Sequence, residues 1–372
     1  MTNEAAALGR AGALLTIDLD AVVENWRRLS ARSAPAECGA VLKADGYGLG
    51  AAEVGRALAA AGARTFFVAH LEEALALRAV LDTPRIVVLN GLLLAFAADY
   101  SAHRLIPALN DPAEIAAWAG HAAALGRPLP GFVHLDSGLN RLGLAPADHD
   151  RLAADPSVLA GIAPITWMTH LACAEAPDNP MNRAQLDLFR QSVARLPAAP
   201  VSIANSSGIF LGPEFQGDLT RPGAALYGVN PTPGQPNPMA PVVRLAARIL
   251  QIRRVDTPMT VGYGAAHRVE GPARLATIAV GYADGVLRAA SGRGTVRIAG
   301  FTAPITGRIS MDLITVDVTH IPEPLAAPGA LAEIIGPELP LDRVAESAGT
   351  IGYEILTSLG RRYARRHVGG AA

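Results

Sequence analysis

From residue 38 to about residue 228, short apolar or β-branched runs alternate with longer stretches whose apolar residues recur at helical spacing. Parallel strands joined by crossover helices leave this signature, because a strand buried on both faces reads as a continuous apolar run. Eight such runs occur: CGAVLKAD, RTFFVA, RIVVLN, RLIPALN, GFVHLD, ITWMTHL, VSIAN and DLTRPGAALYG. Helical stretches such as LEEALALRAVL and MNRAQLDLFRQSVARL separate them, and the helix LDAVVENWRRL precedes the first. Eight repeats without the GxGxxG turn of a dinucleotide fold predict a closed (β/α)8 barrel rather than an open doubly wound sheet.

After the proline-rich linker NPTPGQPNPMAP the pattern changes. Short strand-like runs replace the long helices: VVRLAARILQIRRV, RLATIAVGYAD, TVRIAG, LITVDVT and LAEIIG, with glycine and proline between them. The expected fold is therefore α/β, with an N-terminal (β/α)8 barrel at residues 14–241 and a C-terminal mostly β domain at 242–372 joined by 1–13. The early run ALLTIDLD offers that second domain a further strand, since the barrel already has its eight.

Composition narrows the classes. At 372 residues the chain fits one large and one smaller domain, and a net charge of -1 offers no field to attract nucleic acid. Two cysteines, Cys38 and Cys173, supply neither a disulfide framework nor a cysteine-rich metal site, so a reducing cytoplasm is the expected setting. The N-terminal stretch lacks the basic and apolar regions of an export signal, and no apolar run is long enough to span a membrane. His70, His103 and His267 lack metal-ligand spacing, so no catalytic metal is expected.

Lys43 is the conspicuous residue, an ammonium at the end of a buried strand and followed by Asp45 and three glycines. Burying it unpaired would be costly, so it needs a reason to be there. Barrel active sites lie at the C-terminal ends of the strands. Lys43 ends strand one, Arg141 follows strand five, His170 ends strand six, NSSG follows strand seven and RPGAA lies in strand eight, so all five face one mouth. Hydroxyls and backbone N–H groups of ANSSG beside the glycine of RPGAA would cradle a phosphate. A lysine facing a phosphate in a dry mouth suggests a Schiff base, because desolvation makes the amine nucleophilic. Two carbonyl partners stay open at this point, a sugar phosphate and pyridoxal 5'-phosphate (PLP). Taken singly, Lys43 reads as a snorkelling surface lysine, His170 as a satisfied strand-end histidine and Tyr263 as an exposed hairpin aromatic. Asp45 receives no role, and Cys173 is not read as a nucleophile.

The motifs AVLKADGYGLG, GLNRLGL, MTHLACAE, ANSSGIF, TRPGAALYG, VGYGAAH, VGYADG, GRISMD and GTIGYEILTSLGRR together resemble the PLP-dependent alanine racemases, in that family's order from residue 41 to 362. The resemblance implies a head-to-tail homodimer with shared sites. It implies that Lys43 holds PLP as an aldimine and exchanges protons on one face of the amino-acid substrate, and that Tyr263 of the partner subunit serves the other face. By the same resemblance Tyr47, Ser206, Gly223, Ala224 and Tyr353 hold the phosphate, His170 lies against the pyridine ring, and Arg221 donates to its nitrogen. Arg141 and the backbone near Met311 would hold the substrate carboxylate, with Asp312 close to the Tyr263 chemistry and Tyr282 lining the entrance. The implied activity is alanine racemisation, supplying D-alanine for peptidoglycan or for alanine catabolism. Two positions depart from the family pattern. His134 stands where many members carry a carbamylated lysine that steadies the arginine, and Ser202 stands where many carry a histidine behind the pyridine arginine. The rivals are a racemase of wider side-chain range, a D-amino-acid aldolase or decarboxylase, and a PLP carrier. Tyr263, Arg141 and the lack of a metal pair argue against the second, and the β domain bearing Tyr263 and GRISMD argues against the third.

Overall fold

The computed structural model describes residues 9–370. Residues 1–8 and 371–372 of the expected second domain lie outside the described residues. Two compact units divide the chain. One holds the chain through Ala21 together with Tyr227–Val229 and Ala240–Gly370, and the other holds Val22–Leu226 with Asn230–Met239.

Strand β1 (Ala13–Asp18) belongs to the first of these units, and the helix Leu19–Ser33 leads from it into the barrel strands. β2 (Glu37–Cys38) and β3 (Ala40–Val41) are two halves of one strand interrupted at Gly39. β4 (Thr65–Val68), β5 (Arg85–Val88), β6 (Leu105–Leu109), β7 (Leu129–His134), β8 (Ile162–Met168) and β9 (Val201–Ser202) follow β3 in an all-parallel ladder. β10 (Leu219–Thr220) pairs in parallel with β2. The ring closes where the Asp218 N–H donates to the Val201 carbonyl at 2.8 Å and the Arg221 N–H to the Ala204 carbonyl at 2.9 Å. These eight strands coincide with the eight apolar runs of the sequence. Phe66, Phe67, Val68, Ile86 and Val87 lose all exposure, which explains why their runs do not alternate. Burying each such side chain contributes roughly 1.5–3 kcal/mol. The Phe67 and Phe132 rings meet edge to face at 5.8 Å between centroids.

In the other unit β11 (Val243–Val255) is the spine. It continues past a hairpin of β12 (Met259–Val261) and β13 (His267–Val269) to β14 (Ala273–Ile278), β15 (Thr295–Ile298), β16 (Phe301–Pro304), β17 (Ile314–Asp317), β18 (Leu331–Ile335) and β19 (Ala364–Val368). β11 pairs antiparallel with β1, β14 and β18, and β1 pairs in parallel with β19. The run ALLTIDLD thus lies in this sheet. Five of these strands fall on the expected runs, whereas β12, β13, β16 and β19 do not. Each of the four is short and mostly exposed or half-buried, and β19, ARRHV, reads as a charged tail until its pairing with β1 is seen. The hairpin is anchored by Val255, Val261, Val269, Ala273 and Leu275.

Candidate active site

Lys43 leaves the end of β3 half-buried. Burial, together with the nearby Arg141 guanidinium, lowers its amine below the usual lysine range, and Glu73 opposes the shift. Directly after it the chain makes a left-handed turn, with φ of 54° at Ala44, 53° at Asp45, 61° at Gly46 and 56° at Tyr47. Three of these residues carry a Cβ, and each left-handed residue of that kind costs roughly 1–2 kcal/mol. Local bonds offset the strain. The Glu73 carboxylate accepts from the Ala44 N–H at 2.6 Å, and the Leu42 carbonyl accepts from the Gly46 N–H at 2.8 Å. The Asp45 carboxylate accepts from the Ala51 N–H at 2.9 Å, capping the following helix, which gives a structural role to a residue that had none. The turn carries the buried Tyr47 ring back to the strand-eight loop. A Cβ built on Gly223 would sit 2.3 Å from the Tyr47 hydroxyl, so only glycine leaves room there. Burial raises the Tyr47 phenol above its ordinary range, which keeps it a neutral donor.

Ser206 faces the same spot. Its hydroxyl accepts from the N–H groups of Gly223 at 2.9 Å and Ala225 at 3.3 Å. The segment after it is a three-residue 3₁₀ turn, Gly208–Phe210, closed by Asn205 accepting from the Gly208 N–H at 2.9 Å. Ser206, the 223–225 loop and Tyr47 therefore meet at one spot, so close that a Cβ at 223 would collide with the Tyr47 hydroxyl. A phosphate ester fits that chemistry, since hydroxyl and backbone N–H donors converge on it.

Arg221 is 3% exposed and is held from several sides. It donates to the Ser202 hydroxyl at 2.6 Å, to the Thr169 carbonyl at 2.6 Å and to the Ile203 carbonyl at 3.3 Å. Ser202 in turn donates to the Leu219 carbonyl at 2.6 Å. A serine thus supports this arginine where the family pattern suggests a histidine. Burial pulls the guanidinium down to about 10, and it stays cationic at neutral pH. His170, half-buried beside it, is pushed well below the usual histidine range by burial and by Arg221, Arg141, His134 and Lys43. Every charged or titratable neighbour named there favours its neutral form. Arg221, Arg141 and Lys43 all act on His170, a concentration of cationic groups that suits an anionic ligand.

Arg141 sits on a loop fixed from below. The Asp136 carboxylate accepts from the N–H groups of Gly138 at 3.0 Å, Leu139 at 2.9 Å and Asn140 at 3.0 Å. Ser137 bonds Thr169 at 2.7 Å, and Gln185 reaches both Ser137 at 3.3 Å and the His170 carbonyl at 3.0 Å. His134, ending β7, is buried and bonds Asn110 through Nδ1 at 2.8 Å. Burial and the two arginines lower its imidazole to about 4. Glu73, Asn110, Asp136 and Gln185 carry no motif signal. Their roles rest on partners across the barrel, and only the position of each just past a strand end or on the next helix hints at them.

The β unit holds the remaining expected residues. Tyr263 occupies the turn of the β12–β13 hairpin and is 73% exposed. Met311, Asp312 and Tyr282 belong to one linked group of loops. The Tyr282 N–H donates to the Ser310 carbonyl and the Ala283 N–H to the Met311 carbonyl, each at 3.0 Å. Gly281 has no space for a side chain, since a Cβ would lie 2.3 Å from the Met311 carbonyl oxygen. Arg362 ties the group together, donating to both oxygens of Asp284 at 2.7 and 2.9 Å and to Asp312 at 2.7 Å. Tyr353 lies half-buried on the helix Gly352–Ser358. Among the described residues no cluster of histidine, cysteine or carboxylate could hold a metal ion, and no helix is long and apolar enough to cross a membrane.

Residues 17–231 match the family described as alanine racemase, N-terminal domain, and residues 242–367 match alanine racemase, C-terminal domain. The chain is 50% identical to an alanine racemase of Rhodospirillum rubrum, covering 97% of each. It is 49% identical to a catabolic alanine racemase of Mesorhizobium japonicum, covering 97% of this chain and 94% of that one. The crystal structure of alanine racemase from Bartonella henselae with covalently bound pyridoxal phosphate superposes with a TM-score of 0.92 at 42% identity, covering 96% of this chain and all of that one.

Proposed function

Because the chain belongs to the alanine racemase family, we propose that it is an isomerase that interconverts L- and D-alanine with PLP, and that Lys43 and Tyr263 of the partner subunit are its two bases. PLP, when bound, supplies the electron sink that makes the alanine Cα–H acidic. The chain supplies the rest. Lys43 Nζ, its proton affinity lowered chiefly by burial, moves a proton on one face of Cα. Tyr263 Oη moves one on the opposite face, so two groups of different type serve the two stereochemical directions. Ser206, Tyr47, Gly223 and Ala224 would hold the phosphate, with Tyr353 as a further donor. His170 packs against the ring. Arg221 keeps its proton and donates a hydrogen bond to the ring nitrogen without giving that proton up. Arg141 takes the substrate carboxylate in a bidentate grip, assisted by the backbone at Met311. Asp312 stands beside the Tyr263 chemistry, and Tyr282 lines the entrance. The enzyme works as a cytoplasmic homodimer and supplies D-alanine for peptidoglycan or feeds alanine catabolism.

The observation that carries this reading is the barrel mouth itself: a lysine and a histidine whose proton affinities are lowered chiefly by burial, with Arg141 and Arg221 acting on the histidine, beside the Ser206–Gly223 contact. Chiral chromatography of L-alanine, L-serine, L-lysine and L-arginine turned over in deuterated water with PLP tests it. Fast conversion of alanine alone, with deuterium at Cα, is the expected result. Equal turnover of the larger side chains would instead identify a racemase of wider range, and no Cα exchange with any of them would overturn the proposal.

A further inference from the structure

The barrel has a second concavity, at the end where its strands begin. A cavity of about 360 Å³ is lined there by the first residues of β5, β6 and β7, Arg85, Leu105 and Leu129, and by Pro164 and Thr166 of β8. All its lining residues belong to one compact unit, and because the strands run parallel it opens away from the end that carries Lys43.

The floor is almost wholly carbon. Leu105, Ile106, Leu129 and Phe132 are buried beneath it. Tyr100 and Trp118 also line it, but their polar atoms are already used: the Tyr100 hydroxyl donates to the Gly91 carbonyl at 2.8 Å, and Trp118 Nε1 donates to the Pro130 carbonyl at 3.0 Å. Thr166 is the exception. It is 9% exposed, and its hydroxyl makes no hydrogen bond among the described residues. A hydroxyl so far withdrawn from bulk water gains from any partner that enters.

Four arginines line the same cavity, and only two carboxylates answer them. Arg85 pairs with Glu37 and Arg104 with Asp82, each at 2.5 Å. Arg78 has no ion pair. Its guanidinium is fixed by backbone carbonyls alone, donating to Leu81 at 2.8 Å, Asp82 at 2.6 Å, Pro84 at 2.9 Å and His103 at 3.0 Å. Burial and the Arg104 charge lower its proton affinity, and Asp82 opposes them. Arg127 is exposed, and its guanidinium makes no hydrogen bond or ion pair among the described residues. Cationic charge therefore exceeds anionic charge above an apolar floor.

We infer that this cavity binds a small aromatic carboxylate, with its ring on the apolar floor, its carboxylate taken by the arginines and the Thr166 hydroxyl as a further donor. A bare phosphate would leave the floor unfilled, and a hydrocarbon would leave the excess charge unanswered. A flat ring also stacks on guanidinium planes, and the volume lies in the ordinary range for small-molecule sites. The inference does not rest on the reaction proposed at the mouth.

Isothermal titration calorimetry of the PLP-loaded enzyme with cinnamate, and with its neutral analogue cinnamamide, tests the site. Cinnamate is expected to saturate one site per chain with Kd below about 1 mM, and cinnamamide to bind at least about tenfold more weakly. Arg127→Glu should weaken cinnamate about tenfold and Thr166→Val about threefold, whereas Arg141→Gln at the mouth should leave it unchanged. No saturation by about 5 mM, or equal binding of cinnamamide, overturns the inference. Binding that Arg141→Gln weakens and Arg127→Glu leaves alone places the ligand at the mouth and overturns it too. Should Thr166→Val fail to fold, the exposed Arg127 still decides.

Discussion

The barrel mouth and the loops of the β unit carry expected site residues in opposite physical states. Arg221, Ser206 and His134 are almost wholly buried, whereas Tyr263, Met311 and Tyr282 are 73%, 53% and 42% exposed. In the barrel Arg221, Ser206 and His134 are each held by partners from other segments before any ligand arrives. In the β unit the backbone is pinned, by Arg362 on Asp284 and Asp312 and by the packing of Gly281 on Met311, while the side chains are left bare. Pinned backbone beneath exposed Tyr and Met is what a surface awaiting a partner presents. On the proposed reading this contrast is a division of labour, in which the barrel would hold charge and cofactor and the β loops would supply a group to a second chain.

Removing the barrel base is the strongest attack on that division. Lys43→Ala is expected to lower racemisation at least about 10³-fold, with circular dichroism unchanged. Tyr263→Phe should cost about 10²–10³-fold, yet one enantiomer of alanine should still exchange its Cα hydrogen with deuterated water, because Lys43 remains. Loss of exchange from both enantiomers would mean that the two regions do not divide the work between them.

Stability sharpens the contrast from the buried side. His134, His170 and His149 all have folded affinities for protons below their ordinary values, chiefly through burial. The unfolded chain therefore binds more protons as pH falls, and stability drops with falling pH. For His134 the window runs from about 6.5 to about 4. Its share is on the order of 3 kcal/mol, to be read as the difference between wild type and His134→Asn in urea unfolding at pH 7 and pH 4.5. Ser202→Ala should cost about 2 kcal/mol at neutral pH, since it strips a buried guanidinium of one acceptor. The smallest effect belongs to Gly223→Ala. Its Cβ meets the Tyr47 hydroxyl, and the expected loss is about tenfold in PLP affinity by titration, partly relieved in the Gly223→Ala/Tyr47→Phe double variant.

Much of this was legible in the order of residues. Eight apolar runs became eight parallel strands because full burial on both faces suppresses alternation, and that signal is local. Lys43, Arg141, His170, Ser206 and Arg221 could be placed at one mouth because the barrel rule converts a strand end into a position in space. The left-handed turn at Ala44–Tyr47 was not legible, since three of its four residues have side chains that ordinarily avoid that region and the bond from Glu73 comes from 29 residues away. The hold on His134 depends on Asn110, 24 positions earlier, and the support of Arg221 on a serine 19 positions earlier. Pattern reading finds what a segment does alone and misses what two distant segments do to each other. The departures at 134 and 202 could be noticed in the sequence, but their physical meaning needed the partners.

Co-expression of two inactive chains, Lys43→Ala and Tyr263→Phe, tests the shared site most directly. If each site joins Lys43 of one chain to Tyr263 of the other, a hybrid dimer holds one intact site, and random pairing should restore about a quarter of wild-type activity. Activity that stays at the level of the single variants, with hybrid dimers demonstrably present, would contradict the account.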